Sequence, residues 1–192
     1  MKDGEQFLDL GCCFGQEIRK LIFDGAPSEN LYGTDLRPDF YELGYELFRD
    51  RQTCKAMFFP SNVFEPNAER DALNGTISIV YAGAFFHLFD RPEQLQVARR
   101  VVSLLAPRPG TLILGRQVGN VTPGRFEHGT NSGGWMYRHN EQSWQQFWDE
   151  VGAETGTKWE SWAELKMTAR FQKPGFNEGG ARQMYFAVRR VK

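Results

Sequence analysis

The chain has 192 residues, a length that is enough for one domain with a substantial core. Of these residues 24% are charged, and the formal net charge is −1. Charges of both signs are interspersed, and the lack of a basic stripe argues against a nucleic-acid partner. No apolar run suits a membrane span and no leader is apparent, so we expect one cytoplasmic domain over residues 1–192. The three cysteines form neither a disulfide framework nor a zinc pattern, so no metal site is predicted.

Strand-like and helix-like patterns alternate along the chain. The predicted strands are 6–10, 31–35, 57–59, 76–82, 111–115, 158–167 and 183–190. The predicted helices are 15–24, a helix opened by Pro38, 92–105 and 141–152. This alternation predicts a doubly wound, Rossmann-like α/β fold with a mostly parallel seven-stranded sheet and an antiparallel last strand.

Two long stretches, 116–139 and 168–180, lack a predicted regular structure. Loops of this length inside a compact domain are usually functional. Both are expected at the carboxyl edge of the parallel strands, as is the turn 11–15. Ligands of open α/β sheets bind at this edge, so we expect the functional site there.

The turn after the first strand has the features of a nucleotide-type site. Gly11 and Gly15 allow a tight turn and a close approach of a ligand to the backbone. The helix that follows begins with free N–H groups, which favour negative charge. Asp35 ends the second strand about twenty residues later, where an acid can accept hydrogen bonds from two ribose hydroxyls. Dinucleotide sites and S-adenosylmethionine (SAM) sites share this arrangement.

The segment around this turn resembles motif I of class I SAM-dependent methyltransferases, D/E-x-G-x-G-x-G. Asp9, Gly11 and Gly15 match the motif, and Cys13 replaces its central glycine. Segments 31–35, 60–64 and 79–88 resemble motifs II, III and IV in the same order. The resemblance implies SAM as cofactor and S-adenosylhomocysteine (SAH) as product. It assigns these residues to cofactor binding: Asp9, Gly11, Cys13, Gly15, Asp35, Leu36, Asn62, Val63 and Ala82.

A closer resemblance is to fungal methyltransferases of meroterpenoid and related secondary-metabolite clusters. It is carried by segments 9–20, 23–27, 36–38, 85–89 and 115–119 and by the tryptophan-rich segment 138–151. It implies O-methylation of a small apolar natural-product acid or phenol. Members of this family usually carry a helical extension before motif I, whereas here the motif I strand begins at residue 6. Either the sequence is a truncated form of a longer protein, or it is a naturally short form. We expect a short form to have an open site, a site covered by a second subunit, or a loss of methyl transfer.

Candidate acceptor residues follow the later strands. His87 comes after the motif IV strand, where the methyl group is expected, and is a candidate general base. The alternative is a histidine packed under the neighbouring phenylalanines. Arg116 suits a substrate carboxylate, or else forms an ordinary surface ion pair. The predicted substrate contacts are Phe85, Arg116, Gln117, Trp135 and His139.

Three functions remain open from the sequence. The first is SAM-dependent O-methylation of a small-molecule acceptor. The second is a methyltransferase-like isomerase or cyclase, and the third is a non-catalytic partner subunit. A nicotinamide oxidoreductase is disfavoured because Asp9 precedes the glycine turn. A homodimer is also left open.

Overall fold

Seven strands of the computed structural model form one sheet, and two more form a separate hairpin. The structure describes residues 4–127, 134–173 and 178–192. The strands are β1 (Phe7–Leu10), β2 (Leu31–Asp35), β3 (Met57–Pro60), β4 (Ile79–Gly83), β5 (Leu112–Asn120), β6 (Gly124–Glu127), β7 (Trp135–Arg138), β8 (Trp159–Lys166) and β9 (Ala181–Arg190). The α-helices are α1 (Gln16–Phe23), α2 (Asp39–Phe48), α3 (Ala68–Asp71), α4 (Arg91–Leu104) and α5 (Glu141–Thr155). Among these residues, no helix is long and apolar enough to cross a bilayer.

The strand order of the main sheet is β3-β2-β1-β4-β5-β9-β8. Strands β1 to β5 pair in parallel, and β9 lies antiparallel to both of its neighbours, β5 and β8. This arrangement confirms the predicted doubly wound sheet with an antiparallel last strand. The chain order reverses between β1 and β4, and this switch point is where open α/β sheets bind their ligands.

Both faces of the sheet are covered, which explains why all four residues of β1 are buried. Leu8 packs in a cluster with Val97 of α4 and Trp144 of α5. Phe7 points to the opposite face and packs with Ile18 of α1. The central strand is therefore fixed from two sides, and only its carboxyl end at Leu10 opens toward a ligand.

The expectation of an irregular stretch over 116–139 is wrong. Strand β5 continues to Asn120, and β6 pairs with β7 as an antiparallel hairpin. The extension follows from β9, whose ten residues pair with β5 without a break, from Leu112 opposite Arg189 to Asn120 opposite Ala181. Strand pairing so distant in sequence leaves no local signal. Residues 128–133 lie outside the described part of the chain.

Candidate functional site

Strand β1 ends in a tight turn that is fixed by backbone hydrogen bonds. The N–H groups of Gly11 and Cys12 both donate to the carbonyl oxygen of Thr34, at 2.8 and 3.0 Å. The backbone is left-handed at Gly11 (φ 81°), Cys13 (φ 50°) and Gly15 (φ 70°). Cys13 thus adopts the conformation of the glycine that it replaces, at a cost of roughly 1 kcal/mol.

Asp35 stands beside this turn with its carboxylate held in a fixed orientation. One oxygen accepts the N–H of Cys13 at 2.9 Å, and the other accepts the N–H of Arg37 at 3.2 Å. The N–H of Asp35 itself donates to the hydroxyl of Tyr41 at 2.8 Å. Each carboxylate oxygen keeps a second lone pair, so the group can still accept two hydroxyls from a ligand.

Asp9 is a buried acid with an unused oxygen. The residue is 2% exposed, and its Oδ2 has no hydrogen-bond partner among the described residues. Burial, together with the nearby negative charges of Glu17 and Asp35, raises the pKa of Asp9 to about 8. The ion pairs of the described residues give Asp9 no positively charged partner, and an ammonium group of a ligand would supply one.

A cavity of about 440 Å³ opens beside the turn. Five of the residues predicted to bind the cofactor line it: Gly11, Asp35, Leu36, Asn62 and Val63. Asp9 and Ala82 are buried outside this lining. The Asn62 amide is oriented by its bond to Glu65 Oε1 at 2.9 Å and by the N–H of Phe64, which donates to Asn62 Oδ1 at 3.1 Å.

Three phenylalanines, which we call the aromatic wall, line one side of the cavity: Phe64, Phe85 and Phe89. Phe89 meets Phe64 edge to face with ring centroids 5.1 Å apart, and it meets Phe85 at 5.4 Å. Ala84, between β4 and the wall, has a left-handed backbone (φ 56°) and donates its N–H to the Arg116 carbonyl oxygen at 2.6 Å. This strained residue turns the chain so that Phe85 reaches the glycine turn.

Arg116, Tyr81 and Glu17 form a polar group at the same edge of the sheet, next to α1. The Tyr81 side chain interacts with the guanidinium of Arg116 and raises the pKa of the arginine. Arg116 Nη2 is 3.9 Å from Glu17 Oε1, and about half of the arginine side chain is exposed. A Cβ on Gly83 would lie 2.6 Å from the Tyr81 ring, so glycine is needed there for this arrangement. Arg116 is not among the residues that line the cavity, and it offers a positive group at the same edge of the sheet. Its substrate role stays a prediction.

The structure does not bring every predicted site residue to the cavity. His87 is half-buried in a short 3-10 helix, Phe86–Leu88, and is not among the lining residues, although Phe85 and Leu88 are. Gln117 is 2% exposed within β5. Trp135 lies on β7 in a separate groove, with the guanidinium of Arg125 4.4 Å from its ring centroid. The substrate roles of these residues stay predictions.

His139 is buried and serves the packing of the chain. Its Nε2 lies 3.0 Å from Gln94 Oε1, and its Nδ1 lies 2.9 Å from Ser143 Oγ. The Gln94 amide nitrogen donates to the carbonyl oxygens of Phe89 and Tyr137, so Gln94 Oε1 is an acceptor and His139 carries its proton on Nε2. Both ring nitrogens are engaged within the protein, which leaves none for a substrate.

Some residues that shape the site gave no recognisable signal. Tyr41 fixes Asp35 from α2, and its hydroxyl also donates to the Phe59 carbonyl oxygen at 2.8 Å. Tyr81 holds Arg116. Each of these contacts joins residues from different elements. Only Gly83 gave an indication, because a glycine there leaves room for the Tyr81 ring.

The sheet and the glycine turn define the fold of SAM-dependent methyltransferases, and solved structures agree. No protein-family model matches the chain. A phosphoethanolamine N-methyltransferase of Haemonchus contortus, in complex with SAM, superposes with a TM-score of 0.69 at 15% identity, over all of this chain and 50% of that one. The [4+2]-cyclase SpnF superposes with a TM-score of 0.70 at 13% identity, over 98% of this chain and 76% of that one.

The chain is a homologue of fungal O-methyltransferases of secondary-metabolite pathways. It is 50% identical to O-methyltransferase phiE of a fungal species over 156 residues, which cover 80% of the chain and 51% of that protein. It is 44% identical to O-methyltransferase atr3 of Stereocaulon alpinum over 201 aligned positions, which cover the whole chain and 56% of that protein. The chain thus spans about half the length of these relatives.

Proposed function

We propose that this chain binds SAM and directs its methyl group to an oxygen of a small, largely apolar acid or phenol in fungal secondary metabolism. The observation that carries the proposal is the pair of acids on either side of the glycine turn. Asp35 is oriented by Cys13 and Arg37, and Asp9 is buried with an oxygen that lacks a partner among the described residues. A ligand that carries both a ribose and an ammonium group can donate hydrogen bonds to Asp35 through the ribose and to Asp9 through the ammonium.

The residues present fit such a ligand. Leu36 and Val63 offer apolar surface in the cavity, and Asn62 offers an oriented amide. Gly11 lines the cavity and makes room for the Phe85 ring, because a Cβ there would come within 2.7 Å of Phe85 Cδ2. When bound, SAM supplies an activated methyl group: the acceptor oxygen forms the new C–O bond, and the electron pair of the broken C–S bond stays on sulfur as SAH.

The task of the protein is then to align the acceptor and exclude water. The aromatic wall gives the cavity an apolar side that suits an apolar acceptor. Arg116 is the group for a carboxylate acceptor, which is already an anion and needs no base. His87 is the candidate base for a phenol, since its neighbours Phe85 and Leu88 line the cavity.

The names of the homologues favour methyl transfer over the alternatives. Relatives at 40–50% identity are named methyltransferases. The fold alone would not decide, because the cyclase SpnF has it as well. A cytoplasmic location and a homodimer stay predictions, and size-exclusion chromatography with light scattering measures the second directly.

Titration calorimetry with SAM, SAH and NAD tests the proposal. We expect binding of SAM and SAH and no response to NAD. Asp35→Ala should weaken both adenosyl ligands at least tenfold, because it removes the acceptor of the ribose hydroxyls. Asp24→Ala is the matched control, since Asp24 is an exposed acid at the far end of α1 that pairs with Lys20. Unchanged SAM binding by Asp35→Ala would contradict the proposed site.

A further inference from the structure

Phe85 packs on the segment that links the two acidic anchors of the site. A Cβ on Gly11 would come within 2.7 Å of Cδ2 of Phe85, so the ring rests directly on this glycine. Gly11 lies two residues after Asp9 and two before Cys13, whose N–H holds Asp35. Phe85 and Gly11 both line the cavity, whereas Asp9 is buried outside its lining. The ring therefore stands where a ligand must pass from the cavity toward Asp9.

The orientation of this ring is restrained by its neighbours. Phe85 meets Phe89 with an interplanar angle of 67° and Phe86 with an angle of 89°, at centroid distances of 5.4 and 6.4 Å. The left-handed Ala84 fixes the backbone just before it. Edge-to-face contacts of this kind are favoured by the ring quadrupoles. A restrained ring presents its face in a constant direction and can act as a selective contact.

We propose that Phe85 distinguishes the charge on the sulfur of the adenosyl ligand, favouring the sulfonium of SAM over the neutral thioether of SAH. This inference rests on the proposed function. A ligand anchored by its ribose at Asp35 and by its ammonium at Asp9 has its sulfur between those groups, beside Phe85. An aromatic face attracts a cation within about 6 Å of the ring centroid, whereas a thioether keeps only the weaker sulfur–aromatic contact.

The consequence concerns turnover. Transfer of the methyl group to the acceptor oxygen removes the positive charge from sulfur. The contact with Phe85 therefore weakens when SAH forms, so Phe85 stabilises the bound product less than it stabilises bound SAM. Phe85 is in this sense a specificity residue for the charged ligand, and it forms no bond in the reaction.

The test compares the affinities of SAM and SAH by calorimetry in the wild type and in Phe85→Leu. We expect the ratio of the SAH to the SAM dissociation constant to fall about threefold to thirtyfold, with SAH affinity changed by no more than about twofold. Phe64→Leu is the matched control, because it truncates the same aromatic wall two rings away from Gly11. In Phe64→Leu the ratio of the SAH to the SAM dissociation constant should equal that of the wild type, even if both dissociation constants change.

A second variant covers the case in which Phe85→Leu does not fold. Phe85→Trp keeps an aromatic face, so its ratio should equal or exceed that of the wild type. Equal losses of SAM and SAH binding in Phe85→Leu, or a lowered ratio in Phe85→Trp, would overturn the inference alone. A wild-type chain that binds neither ligand would instead overturn the proposed function, and this inference with it.

Discussion

Asp9 is the residue whose chemistry depends most on its surroundings. Burial raises its pKa to about 8, so near neutral pH the carboxyl group is largely protonated before a ligand arrives. An ammonium group beside it would favour the ionised form and lower that pKa. Binding of SAM must then release a proton, and affinity must fall as the pH decreases below 8.

We expect calorimetry of SAM binding between pH 6 and 7 to show close to one proton released, seen as a heat that varies with the ionisation enthalpy of the buffer. In this range the ammonium of the ligand remains mostly charged. Asp9→Asn should bind SAM more weakly and release no proton. A wild-type binding heat that is independent of the buffer would show that Asp9 does not receive the ammonium.

The stability of the apo protein gives an independent check on the same residue. The folded-state pKa of Asp9 lies above its unfolded value, so the folded state binds more protons between about pH 4 and 8, and stability is lost as the pH rises through this range. The melting temperature of Asp9→Asn should therefore exceed that of the wild type by an amount that grows toward pH 8.

At the scale of elements, His139 connects the turn after β7 to two helices. It contacts Gln94 of α4 and Ser143 at the start of α5, and burial lowers its pKa to about 3. The positive charge of Arg91 acts in the same direction. Because the unfolded chain binds more protons than the folded one between about pH 3 and 6.5, this residue stabilises the fold above pH 6.5 and loses that effect on acidification.

Urea unfolding at several pH values between 4 and 6.5 measures this effect. His139→Gln should reduce the slope of the unfolding free energy against pH by up to about 1.4 kcal/mol per pH unit, the value for one proton. Ser143→Ala removes a hydrogen bond from the same network but keeps the histidine, so it should lower stability without changing the slope. Equal slopes in wild type and His139→Gln would mean that the histidine titrates normally in the folded chain.

Elements with local patterns could be predicted from the sequence, and those fixed by distant partners could not. The apolar periodicity of α4 gave its bounds to within a residue, because its buried face recurs along one helix. The full length of β5 depends on β9, about seventy residues later in the chain. The β6–β7 hairpin was also missed, since its sequence lacks both strict alternation and a two-residue turn.

In the site, too, residues within a local sequence pattern could be predicted, and contacts between distant residues could not. Gly11 and Asp35 could be predicted as cofactor contacts because a glycine turn and an acid after the next strand form a pattern within one βαβ unit. Asp9 was predicted from the resemblance to motif I, and all three roles stay predictions. The contact of His139 with Gln94 could not be predicted, because Gln94 lies 45 residues earlier in the chain, and the substrate role of His139 stays a prediction. Tyr41 and Phe89 were not singled out, since an aromatic residue in a helix or loop has many possible neighbours, and only the folded chain selects one.

At the scale of the whole molecule, ligand binding should be visible as added stability. A ligand that binds only the folded state at one hundred times its dissociation constant adds about 2.7 kcal/mol, which for a domain of this size raises the melting temperature by roughly 5–10 °C. We expect this shift with SAH in a thermal denaturation scan and no shift with NAD. Asp35→Ala should lose the shift, and the exposed control Asp24→Ala should keep it. An equal shift with NAD would indicate a general adenosine site and would argue against the specific role of Asp9, because NAD carries no ammonium group for that buried acid to receive.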